Sequence, residues 1–194
     1  NTYAGKGGVP VGSFFRKLMY AVKYREPKLI LSDQVNPASR LLDHRSPAER
    51  VKRVAPWLTL DGNTLPAVVD GRIQWIVDGY TTTDRYPNSR LVDLADATSD
   101  SVSEQSRVVS ISSGRINYIR NSVKATVDAF DGTVELYAWD TEDPVLKAWS
   151  KSFPGTVSPI SDMSAQLMSH VRYPQDLFKV QRQMLTKYHV TDAD

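Results

Sequence analysis

The chain has no cysteine, which removes disulfide frameworks, thiolate zinc sites, thiol redox chemistry and cysteine nucleophiles together. It also lacks any apolar run near the roughly 18–20 residues that cross a bilayer, and any basic start followed by an apolar stretch of the signal-peptide kind. No Gly-x-Ser-x-Gly elbow marks a nucleophilic serine. The three histidines, His44, His170 and His189, are too dispersed to suggest a metal triad, so no metal and no cofactor are expected. The glycine-rich start, Tyr3-Ala-Gly-Lys-Gly-Gly-Val-Pro, has neither the glycine spacing nor the Ser or Thr after Lys6 that a phosphate loop requires.

What remains is an ordinary composition, 41% apolar and 24% charged over 194 residues, suited to one soluble globular domain spanning 1–194. Opening on Asn1, the chain reads as a piece of something longer. Its net charge of +2 conceals an asymmetry: residues 1–60 hold eleven Lys and Arg against four Asp and Glu, the rest thirteen against eighteen. A basic lobe of this kind fits anionic lipid headgroups or the acidic remainder of its own chain. Nucleic acid is not expected as a partner, because aromatic residues are not interleaved with these bases.

Four of the ten glycines follow an aspartate. Asp70-Gly71 and Asp131-Gly132 each join two apolar runs in the pattern of a two-residue hairpin, whose type I′ turn needs positive φ at both central positions. The first predicts Val69 opposite Arg72, Val68 opposite Ile73 and Pro66 opposite Trp75, in an interior hairpin. The second predicts a packing face of Ala125, Val127, Ala129, Val134, Leu136 and Ala138, small enough for a helix to lie close against it. Its other face carries Lys124, Thr126, Asp128, Phe130, Glu135, Tyr137 and Trp139, with Asp128 directly opposite Glu135.

Helix signals flank these hairpins. Ser13 caps a segment in which Phe14, Leu18, Ala21 and Val22 recur at helical spacing, making Phe14 and Leu18 core candidates. Ser46-Pro47-Ala48-Glu49 reads as a capping box with Pro at the first helical position. Asp143-Pro144 starts a helix with Leu146, Trp149 and Phe153 on one stripe, and Pro174 opens a last one. Residues 90–114, with seven serines between Ser99 and Ser113 and no aromatics, read as a flexible excursion or solvated helix. The expected fold is α+β, an antiparallel hairpin-built sheet packed against helices from both the N- and C-terminal segments.

Long motifs then become familiar in order: Trp57-Leu-Thr-Leu-Asp-Gly-Asn, Ala67-Val-Val-Asp-Gly-Arg, Trp75-Ile-Val-Asp-Gly-Tyr-Thr-Thr, Ile116-Asn-Tyr-Ile-Arg-Asn-Ser-Val-Lys-Ala, Asp131-Gly-Thr-Val-Glu-Leu-Tyr-Ala-Trp-Asp and Arg172-Tyr-Pro-Gln-Asp-Leu-Phe-Lys-Val-Gln-Arg. Nearly the whole chain resembles an uncharacterised family of large bacterial membrane proteins, well represented in mycobacteria and other actinobacteria. The resemblance implies several membrane-spanning helices in an N-terminal half, followed by a large soluble region to which this chain belongs, outside the cytoplasm. It implies no activity and nominates no catalytic residues.

The residues themselves suggest three candidate sites. Asp128 and Glu135, if paired across the strands, have the spacing of a retaining glycoside hydrolase, with Tyr137 and Trp139 as a sugar-stacking surface. Two solvated carboxylates, helped by Lys124, are the plainer account. Asp78, Tyr80, Asp84 and Arg85 cluster where the chain leaves the first hairpin, and Arg85 has the planar fork for a carboxylate or phosphate; a turn-bracing Asp-Arg pair is the plainer account. Arg45, Arg50 and Arg53 could rest on anionic lipid headgroups, or form a solvated helix face. On balance the sequence reads as a non-catalytic interaction or scaffold domain of a cell-envelope membrane protein, meeting an unidentified envelope partner. An extracytoplasmic carbohydrate- or lipid-active hydrolase is the alternative.

Overall fold

A computed structural model describes residues 3–98 and 114–189. It divides into two compact units, Asn1–Arg45 and Ser46–Asp194.

The first unit holds a two-residue strand pair, β1 (Val9–Pro10) with β2 (Arg40–Leu41), and two helices, α1 (Phe14–Tyr24) and α2 (Lys28–Leu31). Ser13 caps α1 as its sequence predicts, accepting from the Arg16 amide at 3.4 Å. Arg25, at φ 53°, closes the helix with its amide turned back to the Ala21 and Val22 carbonyls. The expected burial of Phe14 and Leu18 does not follow. They are 68% and 39% exposed, while Ala21 is the side chain that α1 buries. Helical periodicity is correct here, but it identifies an apolar face without saying what covers it.

The second unit opens with α3 (Pro47–Val54), with Pro at the first position; no hydroxyl–amide bond forms at Ser46, so that half of the capping box does not form. Then follow β3 (Thr59–Val69), β4 (Arg72–Thr83), β5 (Val92–Asp93), α4 (Leu94–Thr98), β6 (Arg115–Ile116), β7 (Tyr118–Asp128), β8 (Val134–Ala138), α5 (Pro144–Ser152), β9 (Ser158–Pro159), a 3-10 turn Ile160–Asp162, α6 (Ala165–His170) and α7 (Gln175–His189). The main sheet runs β3-β4-β7-β8-β9, antiparallel except for the last pair, and β5 pairs with β6. The fold is α+β. Of the Ser- and Asp-rich stretch, residues 99–113 lie outside the described residues.

Two cores form, one on each sheet face. On the first, Leu58, Leu60, Val77, Val123, Ala125, Val127 and Leu136 pack under Ala48, Val51 and Ala55 of α3 and Leu146 of α5. Small side chains at 123–127 let the helix approach the strands, as expected from that face. On the second, Val69, Ile76 and Tyr137 meet Met163 and Leu167. The β3–β4 hairpin has the predicted register, Val69 with Arg72, Val68 with Ile73 and Pro66 with Trp75. Asp70 (φ 50°) and Gly71 (φ 74°) supply the two positive φ values of a type I′ turn. Its tip is not interior, since Val68 and Ile73 are 59% and 53% exposed.

The second hairpin departs from its prediction. Glu135 stands opposite Thr126, and the Asp128 amide bonds to the Thr133 carbonyl, so the loop holds four residues rather than two. Gly132 has positive φ but Asp131 does not. Asp128 instead folds its carboxylate onto the Phe130 and Asp131 amides, at 2.9 and 2.7 Å, and sets a longer turn. The pairing moves by two residues, an even number, so every side chain stays on its predicted face.

Candidate functional site

A polar layer lies on the second sheet face, beneath α7. Register places Asp78 of β4 directly across from Lys124 of β7, and the ammonium donates to the Asp78 carboxylate and, at 3.0 Å, to the Arg172 carbonyl. The Lys124 side chain is only 1% exposed, and it lies 5.1 Å from the centre of the Trp139 ring. Burial, chiefly, pushes the Asp78 carboxyl up, against the pull of Lys124.

Next to this pair, Tyr80 donates to Asp61. Asp61 also accepts the Asp176 amide at 2.9 Å, while Asp176 accepts the Gly62 amide at 2.8 Å. Strand β3 and the start of α7 thus exchange carboxylates, each filling a backbone donor of the other, and an anion stands where the helix N-terminus favours one. Burial raises Tyr80 far above its ordinary value, helped by the Asp61 charge, and raises Asp176 as well.

Between β7, the Trp139 segment and the 168–181 stretch runs a cleft made of two adjoining cavities, about 310 and 470 Å³. Asn121, Trp139 and Leu177 line both. Lys124, Tyr173 and Pro174 line the smaller; Arg120, Asp140 and Gln181 line the larger. Asn121 reaches Asp78 with its side chain, yet its Oδ1 is buried with no hydrogen-bond partner. Arg120 pairs with Asp140 at 2.9 Å on the rim. The lining is apolar and aromatic with amide groups and the Arg120–Asp140 pair, suited to holding a polar chain against an indole face.

The sequence candidates divide around this cleft. Asp78 and Tyr80 lie under it and Trp139 lines it. Asp84 and Arg85 do not join them: they form a loose pair at 3.8 Å, with side chains 63% and 91% exposed. Tyr137 packs in the second core at 6% exposure and its hydroxyl donates to Glu135 at 2.5 Å, so it offers no free ring face. Asp128 is bound by Arg72, Nε to Oδ2 at 2.8 Å and Nη2 to Oδ1 at 3.0 Å, besides its two loop amides. Burial pushes the Asp128 carboxyl up, but the amide bonds and Arg72 outweigh it and hold it below the usual range. Neither Asp128 nor Glu135 lines the cleft. Arg45 is exposed in the first unit. Arg50 bonds the Gly132 carbonyl at 2.9 Å, and Arg53 lies 4.0 Å from Glu49.

Lys124, Asp61, Asn121 and Asp176 are absent from the sequence candidates. The available signal was a lysine in mid-strand, flanked by Val123 and Ala125 and sharing a face with Thr126 and an aspartate in mid-strand at Asp78. Among the described residues no group of three or more His, Asp or Glu is placed to hold a metal ion, and no helix is long and apolar enough to cross a membrane.

Comparison with known proteins gives a family. The profile of the Uncharacterised protein family (UPF0182) matches residues 1–194. The chain belongs to UPF0182. A UPF0182 protein of Arthrobacter sp. (strain FB24) is 58% identical over 193 residues, covering 100% of this chain and 19% of the relative. One of Thermobifida fusca (strain YX) is 59% identical over 195 residues, with 100% and 19% covered. The UPF0182 protein BL1029 of Bifidobacterium longum (strain NCC 2705) is 57% identical over 194 residues, with 100% and 18% covered. All three are actinobacterial, and the chain spans about a fifth of the length of these UPF0182 relatives. No solved structure matches it.

Proposed function

We propose that this part of a UPF0182 protein is a non-catalytic interaction domain of a multi-pass cell-envelope membrane protein, held outside the cytoplasm, and that its partner docks in the Trp139 cleft. The observation that carries the reading is the commitment of the acidic groups. Asp61, Asp78, Asp128 and Asp176 are each engaged by structural donors, and Asp140, the carboxylate that lines the cleft beside its indole and amides, is paired with Arg120. General acid–base chemistry needs a carboxyl that reaches substrate with a proton to give or take; a docking groove needs an aromatic anchor and polar groups at its rim. No observation favours a paired-carboxylate hydrolase, since Asp128 faces Thr133 across the hairpin. The share of the relatives' length covered here leaves the other four-fifths for the membrane spans that the resemblance implies.

The test is photo-cross-linking in the full-length protein in its own membrane, with reactive residues at Arg120 and Gln181 on the rim and at Arg85 as a distant control. A reproducible protein neighbour at the rim positions, lost when Trp139→Ala is added, is the expected result. Adducts to glycan or lipid alone would overturn the reading. Its sidedness is checked by labelling Arg85→Cys with a membrane-impermeant maleimide in intact cells, where reaction is expected.

A further inference from the structure

Helix α1 leaves its apolar face exposed. Projected down its axis, Phe14, Leu18, Val22, Phe15 and Met19 fill one continuous arc of about 140°. They are 68%, 39%, 71%, 68% and 57% exposed. Outside this arc the helix is tied to its own unit: Ala21, beside Phe14 on the projection, is buried, Lys17 donates to the Val35 carbonyl at 2.6 Å, and Lys23 pairs with Asp43 at 2.8 Å. A water-soluble helix ordinarily buries its apolar stripe; α1 leaves its stripe exposed. Leu31 of α2, 80% exposed, adds to the apolar surface.

Charge says what covers it. The unit carries eight Lys and Arg against three Asp and Glu, a net +5 over residues 1–45. Arg16 and Lys23 border the apolar arc on one side, and Tyr20 and Tyr24, stacked at 6.1 Å, follow them around the helix. Eleven residues make a rod of about 16 Å, half of what a bilayer core requires. A short helix with a phenylalanine-rich face, basic borders and interfacial tyrosines has the properties of one that lies in the plane of a membrane, not across it.

We propose that α1 is an interfacial helix that seats Phe14, Phe15, Leu18, Met19 and Val22 in the headgroup–acyl boundary of an anionic bilayer, with the basic charge of the first unit over the phosphates. This moves the lipid contact from Arg50, whose guanidinium is directed to Gly132, to a different helix. It stands whether or not the Trp139 cleft holds a protein.

The experiment uses the 194-residue chain and sedimentation with vesicles. Binding to equimolar phosphatidylglycerol and phosphatidylcholine is expected, weaker by roughly tenfold on phosphatidylcholine alone. Phe15→Ser with Val22→Ser, both at exposed positions, is expected to weaken it by roughly tenfold or more while circular dichroism and melting stay unchanged. Because the chain has no cysteine, a polarity-sensitive dye on Val22→Cys reports insertion directly; its emission should shift to the blue on anionic vesicles, and the same dye on Arg85→Cys should not. Absence of binding, equal binding by the serine variant, or an unshifted dye would each overturn the proposal. So would a dimer in light scattering that the serine variant dissolves, since a second copy would then be what covers the face.

Discussion

At the head of α5 one carboxylate gathers five donors. Asp143, fully buried, accepts from the hydroxyls of Thr81, Ser122 and Tyr118 and from the amides of Val145 and Leu146. Asp143-Pro144 is legible as a helix start; the three hydroxyls are not, because they come from β4 and β7 and meet the cap only in the folded sheet. Burial pushes this carboxyl up, but the bonds from Ser122, Thr81 and Tyr118 together outweigh it and hold it below its ordinary value. A depressed folded value means stability that is present above the unfolded pKa, about 3.9, and lost as pH falls through the folded one. Asp128 acts in the same direction. Asp78 and Asp176, raised chiefly by burial, act in the opposite one and favour the fold as pH falls. Asp143→Asn replaces a charged acceptor by an amide that cannot accept on both sides. It is expected to lower stability by roughly 1.5–3 kcal/mol at neutral pH and to flatten the loss of stability below about pH 4. Urea unfolding followed by circular dichroism across that range measures both.

The elements show where sequence reasoning works and where it stops. Asp70-Gly71 declares its turn because both residues take positive φ, and the register of β3 on β4 follows. Asp131-Gly132 looks the same in sequence, but Asp128 captures the loop amides first and lengthens the turn. A competing side-chain acceptor three residues upstream is the physical reason the pairing of Asp128 with Glu135 fails. The two glycines also differ in what a methyl group would meet. A Cβ at Gly71 has nothing within 4 Å, whereas one at Gly132 lies 2.1 Å from Nη1 of Arg50. Gly71→Ala therefore carries only the positive-φ penalty, about 1 kcal/mol. Gly132→Ala adds the displacement of Arg50 from the loop carbonyl it binds, and its urea midpoint is expected to fall further than that of Gly71→Ala. Equal midpoints would mean that Arg50 contributes nothing to this loop. The Asp61–Asp176 exchange that holds the start of α7 and the Asp78–Lys124 pair between β4 and β7 join residues far apart in sequence, so the floor of the cleft could not be read before the strands were aligned.

At the scale of the molecule, the two cores and their satellites draw only on residues from Ala48 onward, and the contact division falls between Arg45 and Ser46. The first unit has no comparable store of buried apolar surface: Val11 and Ala21 are its buried hydrophobic side chains among the described residues. The hydrophobic driving force scales with apolar area removed from water, so folding is concentrated in the second unit. A chain cut to residues 46–194 is expected to melt in one cooperative transition, within a few degrees of the 194-residue chain. All four tryptophans, Trp57, Trp75, Trp139 and Trp149, lie in that segment, and Trp57, between α3 and β3, stacks on Trp149 of α5 at 5.5 Å, so fluorescence and near-ultraviolet circular dichroism both report its core. A native tryptophan spectrum in the shortened chain would make residues 1–45 an appendage whose apolar helix is kept for a surface outside the fold. A shortened chain that fails to fold would instead favour 1–194 as one domain, with residues 1–45 needed for folding.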